Sequence, residues 1–487
     1  MSVNAPTKLT IKDYKSELHN DWCAGCVLPS TPIITPSGKR PIAQIRLGDE
    51  VLGHDGQFHR VTEVMSHEHP APLHHVTVEG LGTVVLTSDH PVYMTRFDAV
   101  TGLLRFEWVP ADEVKVGDDI AYTRAPSSAA AVQSPALLVA VGGTVRDAVR
   151  PSPTAYETPY MLARVVANEV RPYDGMVHNL EVADVHSYVT DVATLHNCGD
   201  FGILTSIQMA LAQLQLDPDK VAVFSGIGCS GKTPHYINAY GFHTLHGRVL
   251  TVATGARLAN TKQTVLALGG DGDGYGIGAG YFVGAGRRNV DFAYIVHNNN
   301  VYGLTKGQAS PTLAKGKKTK SMPEQSIQDG INPVAMAIAS GYTFIARAYA
   351  LEPKYTAGII ARAIEHRGAA LVDVLQTCPT YNDLYTKEWY EGADLPEKRS
   401  RLYKLEDQGF DGKVKDPSDA QEIIAKKSAA VARSYEAEPI PIGVYYEIDL
   451  PTYEDEVFRR IPDLKETPLV EQNSFERDVN PLLEAMR

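Results

Sequence analysis

The chain has no long apolar run. Its longest, Ala136-Leu-Leu-Val-Ala-Val141, falls far short of the roughly 20 residues that cross a bilayer. The opening Met1-Ser-Val-Asn-Ala-Pro-Thr-Lys8 carries no apolar signal core. Both absences predict a cytoplasmic protein. Positive charge is also scarce, with 46 Lys and Arg against 58 Asp and Glu and a net charge of −12. That balance excludes a sequence-independent nucleic-acid binder, which needs clustered cations. Cysteine numbers only five, too few for a disulfide scaffold, so catalytic or metal roles are expected. Lysine is unevenly scarce: residues 26–197 hold two, Lys39 and Lys115, whereas the rest of the 487 residues hold twenty. The same segment holds ten of the 16 histidines. Such a break inside one domain points to two proteins sharing a backbone.

What is there is a divided motif. Trp22-Cys23-Ala24-Gly25 runs into Cys26, and His196-Asn197 runs into Cys198-Gly199-Asp200-Phe201. Removing residues 26–197 would join Gly25 to Cys198 and create Cys-x-x-Cys-Gly. The removed piece would begin with Cys, end with His-Asn and be followed by Cys. This pattern resembles an intein, a self-splicing insert. It divides the chain into a host segment 1–25, an insert 26–197 and a second host segment 198–487.

Within the insert, short runs such as His75-Val-Thr-Val78 and Thr83-Val-Val-Leu86 lie between turn signals such as Gly53-His-Asp-Gly56 and Glu79-Gly-Leu-Gly82, which predicts an all-β unit. Residues 124–158 are low in complexity and read as loop or disorder. With no room for a homing endonuclease, the resemblance is to a mini-intein of horseshoe-like β (Hint) fold. It implies that Cys26 attacks the Gly25 carbonyl to give a thioester, that Cys198 takes over the acyl group, and that Asn197 cyclises to release the insert. Thr87 and His90 would polarise and protonate the upstream amide, while His186 and His196 would assist Asn197. Histidine suits these roles because its pKa of about 6.5 permits donation and acceptance near neutrality. Where many inteins carry an Asp, this chain has Asn179, so an acidic coordinator of the first step is missing or replaced. The pairs His67/His69 and His74/His75 read as solvent-facing strand residues.

The second host segment alternates apolar runs with helical patterns and predicts α/β architecture. Strands are expected at Val221–Phe224, Val265–Leu268, Phe292–Val296 and Ala370–Leu375, and helices at 204–216 and 357–366. Gly269-Gly270-Asp271-Gly272-Asp273-Gly274 follows one strand, and Asn299 stands 28 positions after Asp271, behind the next. Doubly wound sheets bind ligands there. This arrangement resembles the thiamine diphosphate motif, in which glycines admit a diphosphate and hard oxygens hold Mg²⁺. The resemblance implies Asp271, Asn299 and the Val301 carbonyl as metal ligands, with Asp273 an alternative, and Gly270 and Gly272 beside the cofactor.

Ser225-Gly-Ile-Gly-Cys-Ser-Gly-Lys232, His243-Thr-Leu-His-Gly-Arg248 and Tyr302-Gly-Leu-Thr-Lys-Gly-Gln308, with the rejoined cysteine motif, are similar to the β subunit of 2-oxoacid:ferredoxin oxidoreductases. This implies oxidative decarboxylation of a 2-oxoacid with coenzyme A, electrons leaving through a four-iron, four-sulfur cluster to ferredoxin. Cys23, Cys198, Cys229 and Cys378 are the four thiolates such a cluster requires. Lys232 and Lys306 would meet the substrate carboxylate, and Leu304 would shape the pocket, with the motif leaning toward 2-oxoglutarate or broad specificity over pyruvate. His246 and Arg248 could reach cofactor or substrate, or serve a structural role. The glutamate that activates thiamine belongs in this family to a partner α subunit. Lys315-Gly-Lys-Lys-Thr-Lys320 reads as a solvated loop, with docking of acidic ferredoxin or the α subunit the alternative, and from Asp416 onward the chain reads as a charged helix with a proline-dotted tail. Competing readings are a thiamine-dependent decarboxylase with structural zinc and a non-splicing scaffold subunit.

Overall fold

The computed structural model describes residues 8–16, 26–88, 90–97, 104–123, 160–182, 187–196, 198–319, 321–382, 384–393, 395–397, 399–472 and 480–486. Cys23, His186 and Asn197 lie outside the described residues, as do the stretch 124–158, Lys320 and the side chain of His196.

The described residues between 32 and 196 form strands and short 3-10 turns. Two long strands organise them. Phe58–His69 pairs antiparallel with Gly175–Val182. Tyr160–Arg171 pairs with Asp119–Thr123 at one end and with Leu73–Val78 at the other. A register shift between Val165 and Ala167 is the device by which a strand bends from one pairing to the next. Inward residues of these strands, among them Val76, Leu86, Val92, Ile120, Val165 and Leu180, form one core that draws only on residues of the insert. His74 belongs to the inward set rather than facing solvent. It is 7% exposed, with Nδ1 3.1 Å from Asn168 Oδ1, because Leu73–Val78 is covered on both sides near its start.

The host segment builds a twisted sheet of eight strands. In chain order they are β1 (Val221–Ser225), β2 (Tyr240–His243), β3 (Thr264–Gly270), β4 (Phe292–Asn298), β5 (Phe344–Tyr349), β6 (Ala369–Leu375), β7 (Leu402–Lys404) and β8 (Ile440–Glu447). Their spatial order is β2-β1-β3-β4-β6-β5-β8-β7. All neighbours run parallel except β5 and β8. The strands are apolar along their length because helices cover both faces. Val223, Leu266, Leu268 and Ile295 point to one core and Phe224, Val265, Ala267 and Val296 to the other. Helices α1 (Asp200–Leu214), α2 (Val249–Ala259), α3 (Ala279–Arg288), α4 (Pro333–Ser340) and α5 (Pro353–Glu365) supply the cover.

Two expectations need revision. Helices α1 and α5 begin at Asp200 and Pro353, four residues earlier than the pattern suggested. An acidic residue and a first-turn proline mark these starts. The tail is more than a helix: after α6 (Ala420–Ser434), strand β8 enters the central sheet.

The first host segment returns to this body across the insert. Tyr14 is fully buried in the core that contains Phe201 and Ile207. Asn238 Nδ2 donates to the Asp13 carbonyl at 2.8 Å, and Lys15 bridges to Ile237.

Candidate functional site

The upstream junction is built on a strand crossing. Val27 and His178 exchange two backbone hydrogen bonds of 2.8 Å, which places Cys26 beside the turn that follows Leu86. There the Cys26 N–H donates to Thr87 Oγ1 at 2.7 Å, and the Thr87 N–H returns a bond to the Cys26 carbonyl at 2.9 Å. His90 is fully buried. Burial pushes its pKa down to about 3, against the opposing pull of the nearby Cys26 backbone. Neither ring nitrogen has a hydrogen-bond partner of good geometry among the described residues. The expected trio Cys26, Thr87 and His90 therefore stands together.

Three further residues stand at this junction without any motif announcing them. His67 is half-buried, with Nδ1 4.0 Å from Cys26 Sγ, which corrects its reading as a solvent-facing residue. His178 lies beside it, its pKa lowered by burial and by His67. Tyr188 is buried edge-on to His90, with ring centroids 6.2 Å apart, and its ionisation is opposed by burial and by Cys26. The register of Val177 against His67 and of His178 against Ser66 brings this group together. No local sequence signal carries that register. Asn179 is buried and its Oδ1 accepts the Leu180 N–H at 2.8 Å, so it caps its own backbone there.

Downstream, Cys198 is 6% exposed. Its thiol donates to Asp200 Oδ2 at 3.1 Å, and Gln376 Nε2 approaches the sulfur at 3.7 Å. Burial and the negative charge of Asp200, then of Cys378, push the thiol pKa well up. Cys378 follows β6 and Cys229 follows β1, as expected. Among the described residues, however, no three cysteine, histidine or carboxylate side chains stand close enough to hold a metal, and Cys23, the fourth expected ligand, is not among them.

The host cleft opens at the carboxyl ends of β1, β3 and β4. It has a volume of about 80 Å³ and is lined by Ser230, His246, Asp271, Asp273, Asn299 and Val301, with Leu304 at its edge. The chain leaves β3 through a widened helical turn, Gly272–Ile277, a form common at functional sites. A Cβ on Gly272 would stand 2.2 Å from Tyr302 Cε1, so only glycine lets the turn pass. Asp271 is 1% exposed and accepts hydrogen bonds from the Ser310 and Thr312 hydroxyls and from the Asn300 N–H. Burial raises its pKa to about 6 against the pull of those hydroxyls. Asp273 Oδ1 accepts from the Gly247 N–H at 2.7 Å and the Ile227 N–H at 3.2 Å. Four buried polar atoms facing this cleft have no hydrogen-bond partner among the described residues: Ser230 Oγ, His246 Nδ1, Asp273 Oδ2 and His297 Nε2. A cleft with so many unmet polar groups is shaped for a polar ligand.

Other expectations fit less well. Lys232, Lys306 and Arg248 do not line the cleft. Lys306 is exposed at a turn with φ of 77°, and Arg248 stacks on Tyr281 at 4.7 Å. Lys315, Lys317 and Lys318 are exposed, as a solvated loop requires. A wider groove elsewhere, between Arg362, Arg367, Glu447 and Asp455, is braced by its own ion pairs of 2.7 Å and brings no reactive groups together.

A parallel sheet with a Gly-Asp-Gly turn at its carboxyl edge and hard oxygen donors behind the next strand defines a thiamine-diphosphate-binding domain. A model described as the C-terminal TPP binding domain of thiamine pyrophosphate enzymes matches residues 226–374. A second, describing the C-terminal part of the pyruvate ferredoxin oxidoreductase beta chain, matches residues 378–460. The 2-oxoacid:ferredoxin oxidoreductase subunit beta of Saccharolobus solfataricus is 54% identical over 276 residues, covering 56% of this chain and 87% of that protein. Subunit beta of 2-oxoacid:ferredoxin oxidoreductase 1 from Aeropyrum pernix is 50% identical over 305 residues, 61% of this chain and 92% of its own. Among solved structures, the 2-oxoglutarate:ferredoxin oxidoreductase from Magnetococcus marinus aligns over 60% of this chain and 90% of its own, at 32% identity and a TM-score of 0.49. The bacterial intein-like domain from Clostridium thermocellum aligns over 35% of this chain and 98% of its own, at 20% identity and a TM-score of 0.25. The chain belongs to the β-subunit family of 2-oxoacid:ferredoxin oxidoreductases, a family whose name implies an α-subunit partner.

Proposed function

We propose that the chain is a precursor that excises residues 26–197 and becomes a 2-oxoacid:ferredoxin oxidoreductase β subunit acting on 2-oxoglutarate. The observation that carries the splicing half is the grip on the Cys26 amide. Thr87 occupies its N–H, so the lone pair that emerges as the C–N bond breaks is left to His90. Because burial keeps His90 neutral near pH 7, the imidazole must gain a proton before it delivers one to the leaving nitrogen, while the Cys26 thiol has His67 Nδ1, 4.0 Å away, to receive its own. The Cys26 sulfur then carries the Gly25 acyl group as a thioester, and exchange moves that group to the Cys198 sulfur. Asn197 closes on its own carbonyl, breaking the bond to Cys198. An S-to-N shift leaves an ordinary Gly25–Cys198 peptide bond.

In the mature subunit, Asp271, Asn299 and the Val301 carbonyl would hold Mg²⁺, and the glycine turn would admit the diphosphate. Thiamine diphosphate supplies an electron sink for decarboxylation when bound. Asp273 is oriented by two backbone N–H groups, and Leu304 edges the substrate side of the cleft. Cys23, Cys198, Cys229 and Cys378 would take a four-iron, four-sulfur cluster, passing electrons to ferredoxin while coenzyme A accepts the acyl group. The pairing of Cys198 with Asp200 in the unspliced chain supports cluster assembly after excision.

Intact-mass analysis tests the reading. The wild-type chain should lose residues 26–197, while a Cys26→Ala, Asn197→Ala double variant should remain at 53.0 kDa. A wild-type chain that persists at full mass would sink the splicing half. The oxidoreductase half predicts 2-oxoglutarate-dependent ferredoxin reduction once the α subunit is added, with pyruvate the weaker substrate.

A further inference from the structure

A buried line of side chains runs from the splice junction into the thiamine cleft. Asp200, in the first turn of α1, holds the Cys198 thiol with Oδ2 at 3.1 Å. Its other oxygen stands 2.6 Å from His297 Nδ1. Both side chains are essentially inaccessible, Asp200 at 0% and His297 at 1%. His297 is the penultimate residue of β4, and its backbone pairs with Gly270 immediately before Asp271. Its side chain lines the cleft, where Nε2 has no hydrogen-bond partner among the described residues.

A buried imidazole held so closely by a carboxylate has its tautomer fixed, because Nδ1 must carry the hydrogen it gives to Asp200. In the neutral ring the lone pair is then on Nε2, which lines the cleft. An orphaned acceptor in a dry site costs free energy unless a ligand meets it. Ser230 Oγ, another unmet group of the cleft, can rotate to suit a partner, whereas the imidazole of His297 cannot.

We propose that His297 is a cofactor-binding residue of the thiamine cleft, its Nε2 accepting a hydrogen bond from a donor on bound thiamine diphosphate or on a water held by its magnesium ion. Asp200 is then a positioning residue that serves both the cleft and the junction cysteine. The chain's thiol, carboxylate and imidazole form one continuous hydrogen-bonded line, so that a residue two positions past Cys198 sets how the cofactor is received.

The test uses the spliced subunit in complex with its α partner and reads affinity by calorimetry. His297→Leu should weaken thiamine diphosphate binding about tenfold in the presence of Mg²⁺, with the thermal midpoint and the iron–sulfur absorbance retained. Asp200→Asn, nearly isosteric, releases the tautomer and should weaken binding less, about threefold. It keeps the proposal testable if the leucine variant does not fold. Oxythiamine diphosphate, which lacks the 4′-amino group, separates the two donors. If His297 meets that amino group, the analogue binds wild type and His297→Leu alike. If it meets magnesium-bound water, the leucine penalty is the same for both ligands. Unchanged affinity for thiamine diphosphate in the folded His297→Leu complex, or in Asp200→Asn where leucine is not tolerated, would overturn the proposal.

Discussion

Thr87 shows how one hydroxyl can separate two steps. It accepts the N–H of the amide to be broken, so its effect should be confined to the upstream bond. Thr87→Val keeps the shape and β-branching but removes the acceptor. In an Asn197→Ala background, thiol-induced cleavage before Cys26 should slow about tenfold. In a Cys26→Ala background, release at Asn197 should keep its wild-type rate. Equal slowing of both would mean that Thr87 supports the fold and not the step. Thr87 and His90 were legible in the sequence because a short motif fixes them relative to one turn. His67 was not, since two strands more than a hundred residues apart decide that its ring turns toward Cys26. For the same reason His297 and Asp200, separated by 97 positions, appear as a pair only once α1 is laid against β4.

At the scale of elements, the host sheet is tied behind the cleft by one buried ion pair. Arg347 on β5 donates to Asp373 Oδ2 on β6 at 3.0 Å. The other Asp373 oxygen accepts from Asn298 Nδ2 on β4 at 2.9 Å and from the Tyr275 hydroxyl at 3.2 Å. Tyr445 of β8 closes the set, its ring 5.6 Å from the Arg347 guanidinium. Removing one partner leaves the other charged and buried, so Arg347→Ala should destabilise the spliced subunit by about 3–5 kcal/mol in urea unfolding. Arg347→Ala with Asp373→Asn should recover part of that loss, because the uncompensated charge is gone. The apolar runs of β1, β3, β4 and β6 announce themselves in the sequence as buried parallel strands. β8 does not: Pro439, Pro441 and Gly443 interrupt its pattern, and proline usually belongs to edges. Its acceptance beside β5 depends on the antiparallel pairing and its register shift between Ile345 and Ala346.

At the scale of the whole molecule, the cores of insert and host share one backbone with little exchange between them. The large core of the insert uses residues of the insert alone, whereas Tyr14 and the second segment fill the host. Met65 is the insert residue that enters the host core, and His54 Nε2 faces Glu388 Oε1 across the boundary at 3.4 Å. An insert with its own core should fold when made alone as residues 26–197 carrying Cys26→Ala and Asn197→Ala. Cooperative unfolding with a β-rich far-ultraviolet spectrum would establish this. His90 then gives its stability a pH signature. Its folded pKa is about 3, below the roughly 6.5 of an unfolded chain. Between these values the unfolded state binds the extra proton, so stability must fall as pH drops from about 6.5 toward 3. His90→Gln has no such proton to take up. Its unfolding free energy, followed by urea titration from pH 7 to 4, should fall less steeply, by the equivalent of about one proton. Identical slopes in the two proteins would show that His90 titrates normally and that burial does not set the protonation state of its imidazole.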